Sequence, residues 1–226
     1  MKPTLLLLHG ALGSCVQFDA LAAPLAVHYD VHTFDFRGHG AAALPEKLTI
    51  HTLTAQLDNW ITEHLPRKEP VAVFGYSMGG YVALLLALEK PQLFNRITTL
   101  GTKLQWSPEI AAGEIKMIDP EKIEQKVPAF AAELAARHGA DKWKALLQQT
   151  AGLMTDLGAN IFLNTEALKN IQVPVKLMLG DRDKMVTLDE TVNAYKAIPG
   201  AAFSVLPETP HPLEKVDVKR IVFELV

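Results

Sequence analysis

Short runs of consecutive apolar residues alternate along this chain with longer stretches in which apolar positions recur every three or four residues. Residues 5–8 are four leucines in a row, 71–74, 173–179 and 202–206 are mostly apolar and read as strands, and 30–35, with its β-branched share, and 96–100 read as strands too. Phe18, Leu21, Ala22 and Leu25 fall at i, i+3, i+4 and i+7, which predicts a helix over 16–26. The stripe Ile50, Leu53, Leu57, Trp60, Ile61 and Leu65 predicts a second helix, begun at Thr49 and stopped by Pro66. Further helices are predicted over 78–90, 188–198 and 215–225.

Strands that are apolar throughout, rather than alternating, are covered on both faces. Strand–helix alternation then implies a parallel sheet with right-handed crossovers. The predicted fold class is therefore α/β, a mostly parallel twisted sheet with helices on both faces. Residues 103–169 break the rhythm, because they contain no convincing strand. Two or three helices are predicted there, one over 129–138 entered at Pro128, and one over 141–157 capped by Asp141 and ended by Gly158. This stretch reads as a small all-helical lid inserted before the last two strands. It divides the chain into a first core part, 1–102, the lid, 103–169, and a second core part, 170–226.

Composition narrows the classes of partner. With 49% hydrophobic and 21% charged residues in 226, the chain has ample apolar surface for a folded core. Its 22 Lys+Arg against 25 Asp+Glu leave a net charge of −3, which argues against nucleic acid, a partner that demands a concentrated basic face. No apolar run approaches the ~18–20 residues of a membrane span. The start, Met1-Lys2-Pro3-Thr4 and four leucines, is too short for a signal peptide, so a cytoplasmic location is expected. Cys15, the single cysteine, cannot form an internal disulfide and is expected to be a small buried hydrophobe.

The chemistry begins at Gly75-Tyr76-Ser77-Met78-Gly79, which matches Gly-x-Ser-x-Gly between a predicted strand and a predicted helix. A serine hydroxyl is a poor nucleophile until a tight turn lifts it to where a base can reach it. The glycines let such a turn close without side-chain clash. Ser77 also stands at a helix N-terminus, where free N–H groups favour developing negative charge.

His9-Gly10-Ala11 after the first strand, Asp35-Phe36-Arg37-Gly38-His39-Gly40 after the second and Gly75-Tyr76-Ser77-Met78-Gly79-Gly80 after the third together resemble the α/β-hydrolase superfamily. The resemblance spans the chain apart from the helical insertion, and the chain starts at what would be the family's third strand. It implies the chain order nucleophile, acid, base. His211 is the one histidine after the last predicted strand, in Pro207-Glu208-Thr209-Pro210-His211-Pro212, and is the candidate base. Two aspartates follow the fifth strand. The family spacing of glycine, two residues, acid, then an apolar pair points to Asp183 as the acid, with Asp181 hydrogen-bonding inside the turn; the alternative is Asp181 as the acid.

A tetrahedral intermediate needs preorganised donors for its oxyanion. The Met78 N–H at the helix start is one candidate. The resemblance implies the Ala11 N–H as the other, with Leu12 its neighbour, and His9 as a hydrogen-bonding support of that loop. Asp35, Arg37 and His39 form either a carboxylate-binding site through Arg37 or, preferred here, a salt-bridged loop beneath the site. The lid offers Trp106, Met117, Phe130, Trp143, Leu147, Met154 and Phe162, of which Trp106 and Trp143 are the candidate substrate-binding residues. No metal-ligand spacing, phosphate-cradling loop or nicotinamide fingerprint is present, so no cofactor and no metal are expected.

The expected activity is hydrolysis of a small, apolar carboxylic ester, lactone or thioester by a Ser-His-Asp triad, in a monomer or small homo-oligomer. Two alternatives share the fold. One is a non-hydrolytic triad enzyme, either a haloperoxidase without cofactor or an elimination synthase resembling that of the menaquinone pathway. Tyr81 stands where that synthase carries an arginine. The other is a non-catalytic small-molecule binding module.

Overall fold

A computed structural model describes residues 2–65 and 69–226; the predicted stop at Pro66 lies outside them. The chain forms β1 (Thr4–Leu8), α1 (Asp19–Ala26), β2 (Asp30–Thr33), α2 (Ile50–His64), β3 (Val71–Tyr76), α3 (Met78–Glu89) and β4 (Phe94–Leu100). Five helices follow, α4 (Pro108–Met117), α5 (Pro120–Lys126), α6 (Pro128–His138), α7 (Trp143–Ala159) and α8 (Thr165–Lys169). The chain closes with β5 (Val175–Gly180), α9 (Leu188–Ala197), β6 (Ala202–Leu206) and α10 (Val218–Leu225).

The six strands are parallel in the order β2-β1-β3-β4-β5-β6. Successive side chains on a strand face opposite ways, and the core is accordingly double. Leu6, Leu8, Val71 and Val73 pack with residues of α2, α3 and α9 on one face. On the other, Leu5, Leu7, Ala72 and Phe74 meet Leu21 and Leu25 of α1 and Ile221 and Leu225 of α10. Ten of the twelve residues of α3, from Met78 to Ala87, are buried, which suits a helix apolar all round. The chain leaves β1 towards one edge of the sheet and later returns to place β3 on β1's other side. The loops after these two strands therefore flank a topological switch point, where ligands enter open α/β sheets.

Several boundaries differ from expectation. The helix predicted over 16–26 splits into a 3-10 turn, Cys15–Phe18, and α1. The second strand ends at Thr33, because the Asp35 carboxylate accepts from the N–H groups of Cys15 at 2.7 Å and Ala41 at 3.0 Å and so turns the chain away. The fifth strand begins at Val175, one residue past Pro174, whose nitrogen has no hydrogen to give the ladder. The closing helix starts at Val218, capped by the Asp217 side chain, after a separate 3-10 turn at Leu213–Lys215.

Residues 103–169 hold five helices rather than two or three. Pro108, Pro120 and Pro128 each stand at the start of one, where a missing N–H costs nothing, and Ser107 and Asp119 cap the first two. Asp141 lies in a turn, and Lys142 occupies the cap position of α7 instead. Gly158 does not end α7. A Cβ there would stand 2.7 Å from Ala111 Cβ and 2.8 Å from Ser107 O, so this glycine lets α4 and α7 approach closely.

Candidate active site

The elbow after β3 is built by close backbone approach. A Cβ on Gly75 would lie 2.5 Å from Gly80 Cα, and one on Gly79 would lie 2.3 Å from Leu8 O. No side chain fits at either place. Between them Ser77 is forced to φ 50, ψ −115, a region that costs a non-glycine residue about 1–3 kcal/mol. It is held there from both sides. Its N–H donates to Leu100 O at 2.8 Å, while its carbonyl accepts from Gly80 N–H at 3.1 Å and from the Thr102 hydroxyl at 3.0 Å.

The loops after β5 and β6 meet beside it. His211 Nδ1 donates to Asp183 Oδ2 at 2.7 Å, and the other Asp183 oxygen accepts from the N–H groups of Met185 at 2.8 Å and Val186 at 2.9 Å. Burial by itself would raise the Asp183 carboxyl, but His211 and those two N–H groups outweigh it and hold the carboxyl below its usual value. Because Nδ1 carries the proton toward Asp183, the neutral imidazole leaves Nε2 as the acceptor. Gly101, at φ 60, lies beneath this pair, and a Cβ there would be 3.2 Å from both the Asp183 carboxylate and the His211 ring. The Tyr76 hydroxyl donates to His211 O at 3.0 Å and fixes the loop further.

Asp181 takes the other part foreseen for the pair. It is exposed and accepts from Thr209 N–H at 3.0 Å, so it shapes the turn that carries His211. Hydrogen bonds from the Glu208 and Thr209 N–H groups hold its carboxyl below the usual value.

Ser77, His211, Ala11 and Met78 all line one cavity of about 810 Å³. Much of its wall comes from residues 103–169, including Trp106, Phe130, Leu153, Met154 and Leu157, with Ile50 and Tyr81 beside them. Met117 also reaches it, although it is largely exposed. Trp143 does not take the place expected of it. It starts α7 on the stripe Trp143, Leu146, Leu147, Thr150, and its ring is buried in the core with Leu146 and Leu147. Phe162 stacks edge-on against His51, with ring centres 4.5 Å apart.

The supporting loops also depart from expectation in part. His9 is fully buried; its Nδ1–H donates to Gly10 O at 2.8 Å and its Nε2 accepts from Phe36 N–H at 3.0 Å. Burial pushes this imidazole down to about 4, so the ring stays neutral. Among the described residues no ion pair ties the loop from Asp35 to Gly40, where the sequence reading prefers a salt-bridged loop. Asp35 spends both oxygens on backbone N–H groups, while the Arg37 side chain is exposed. Cys15 is half-buried, and burial together with the Asp35 carboxylate raises its thiol to about 11.

A hydroxyl on a strained elbow, an imidazole oriented by a carboxylate and two loops that converge at strand ends are the parts that acyl transfer uses. A family model described as alpha/beta hydrolase fold matches residues 3–162. The chain belongs to that family. Among its relatives is a pimeloyl-[acyl-carrier protein] methyl ester esterase of Aeromonas salmonicida, 27% identical, with 96% of this chain and 94% of that protein aligned. The enol-lactonase of Burkholderia xenovorans shares the fold at a TM-score of 0.78 and 19% identity, covering 100% of this chain and 92% of that one. A thioesterase domain from the curacin biosynthetic pathway does so at a TM-score of 0.75 and 21% identity, covering 99% of this chain and 91% of that one. The fold class, the family and a hydrolase-type enzyme foreseen from the sequence are thus met. Among the described residues no helix is long and apolar enough to cross a membrane.

Proposed function

We propose that this member of the alpha/beta hydrolase family cleaves a small carboxylic ester, lactone or thioester through an acyl-enzyme on Ser77. The observation that carries the reading is the 2.7 Å hydrogen bond from His211 to Asp183 beside a serine held at φ 50, with His211 and Ser77 on one cavity wall. His211 Nε2 takes the Ser77 proton as Oγ attacks the carbonyl carbon, and Asp183 stabilises the imidazolium that forms. The N–H groups of Ala11 and Met78 receive the oxyanion. Collapse of the intermediate expels the alcohol or thiol, which takes the proton from His211. Water then gives a proton to the same nitrogen, attacks the acyl carbon and frees Ser77 and the acid.

Residues 103–169 serve as a lid in this reading, between core parts 1–102 and 170–226. Trp106 on that segment bounds an apolar acyl pocket with Leu153, Met154 and Leu157. The relatives named as an ester esterase, a lactonase and a thioesterase all handle acyl bonds, which agrees with this chemistry. The test is an active-site fluorophosphonate followed by p-nitrophenyl esters of graded chain length. Labelling of Ser77 together with turnover supports the reading. Absence of both in the folded protein would sink it.

A further inference from the structure

The loop after β1 is tied to a helix far away in sequence. Leu12 sits at φ 59, a region that few residues with a side chain adopt. The tie comes from α6. Arg137 Nη1 and His138 Nε2 both donate to the Leu12 carbonyl, each at 2.9 Å, from residues more than a hundred positions away. His138 Nδ1 accepts from Gly40 N–H at 2.9 Å, which keeps its single proton on Nε2 and aimed at Leu12. Arg137 also places Nη2 3.5 Å from Glu214 Oε1, three residues past His211.

The grip on Leu12 reaches the oxyanion site through two planar peptides. The Leu12 carbonyl and the Gly13 N–H belong to one peptide, so fixing the oxygen fixes the N–H on its far side. That N–H donates to Gly10 O at 3.1 Å, and His9 Nδ1–H donates to the same oxygen at 2.8 Å. Gly10 O in turn shares a peptide with the Ala11 N–H, which must then point the opposite way. The Ala11 donor is thus aimed by a relay that starts on α6.

We infer that Arg137 and His138 are positioning residues for the oxyanion hole, so that α6 belongs to the catalytic scaffold as well as to the cavity wall. The inference rests on the reading of Ser77 and Ala11 given above. Three variants of the full chain test it. Arg137→Met keeps the alkyl stem and removes the donor on a half-buried residue. His138→Asn keeps an acceptor near Gly40 but cannot reach Leu12. His138→Gln extends an amide N–H to where Nε2–H stands.

The readouts are kcat/KM on p-nitrophenyl butyrate and the affinity of a trifluoromethyl ketone, whose Ser77 adduct places an oxyanion in the hole. A whole donor is worth about 10²–10³ in rate, so a misaimed one should cost about 10- to 100-fold. We expect Arg137→Met and His138→Asn to lose that factor in both readouts in parallel, with the shape of the pH–rate profile unmoved, and His138→Gln to recover most of it. Parent-level activity in the first two variants, rate loss without loss of ketone affinity, or a Gln variant no better than Asn would overturn the positioning role. A parent that neither hydrolyses the ester nor binds the ketone would overturn the hydrolase reading itself, and this inference with it.

Discussion

The two walls of the cavity are made of different material. The sheet wall consists of strand ends, where Ser77, Asp183 and His211 are each fixed by backbone hydrogen bonds or close glycine contacts. The helical wall consists of apolar side chains from 103–169, held by packing, with Arg137 and His138 as its polar ties to the loop after β1. Bond-making chemistry depends on polar groups whose position does not relax, so it belongs on the first wall. Selection by shape depends on area, which the second wall supplies and can vary cheaply. Changes to the reacting groups of the sheet wall should therefore cost orders of magnitude for every substrate, and changes to the apolar side chains of the helical wall should cost less and depend on the substrate.

The largest effect falls on Ser77→Ala. The substitution removes one oxygen and leaves the elbow's glycine contacts untouched, so the fold should persist while turnover falls by about 10⁶-fold. Circular dichroism and ester turnover on one preparation check both halves. Residual activity near the parent's would move the nucleophile off the sheet wall.

Asp183→Asn should come next. Asparagine fits the space but cannot enforce the Nδ1–H tautomer of His211 or stabilise its cation, and the expected loss is about 10⁴-fold. Asp181→Asn in the same loop loses only a turn hydrogen bond to Thr209 and should change kcat little. Equal losses in the two variants would show that loop shape, rather than the acid, is what counts.

The sheet wall was the legible one, and the reason is physical. Gly75 and Gly79 are glycines because nothing else fits, so the letters of the motif are the geometry itself. His211 was expected from its place after the last strand and Asp183 from the family spacing that the resemblance implies, and the structure joins the two by a hydrogen bond. The tie to α6 carries no such local sign. Leu12 is an ordinary leucine whose positive φ is imposed by residues 125 and 126 positions away. Gly101, after a strand, is a signal that the sequence reading did not use, as are the prolines that open α4 and α5; Pro128, which opens α6, is read as a helix start. The two tryptophans were indistinguishable because helical period shows that a stripe is buried but not whether core or cavity covers it.

Where the walls meet, the protein should be sensitive to acid. His9, His39 and His138 form a buried group with ring centres 5.0 Å and 5.8 Å apart along the series. Burial pushes His9 and His138 down to about 4 and His39 well below its ordinary value. The unfolded chain binds protons on these rings near pH 6.5 and the folded one does not. Their contribution to stability is therefore complete above about pH 6.5 and is lost as pH falls toward 4. Urea midpoints at pH 7 and pH 5 should differ in that direction by an amount worth a few kcal/mol. Equal midpoints would mean that the seam opens or hydrates without cost.

The smallest effect is the one that separates cavity from core within the helical wall. Trp106 lines the cavity, with its Nε1–H donating to Lys103 O at 3.3 Å, whereas Trp143 is buried with Leu146 and Leu147. Truncating Trp106 to alanine enlarges the acyl pocket. A pocket of this kind discriminates at roughly 0.8 kcal/mol per buried methylene, so the preference among p-nitrophenyl esters should shift toward longer chains by about 10- to 100-fold in kcat/KM ratios. Ser77 labelling by a small fluorophosphonate should stay close to the parent rate, because the sheet wall is untouched. Trp143→Ala should lower the melting temperature, since a large buried ring leaves a cavity worth about 3–5 kcal/mol, yet leave the chain-length profile where it was. A shifted profile in Trp143→Ala, or an unshifted one in Trp106→Ala, would erase the line drawn here between residues that pack the helices and residues that meet the substrate.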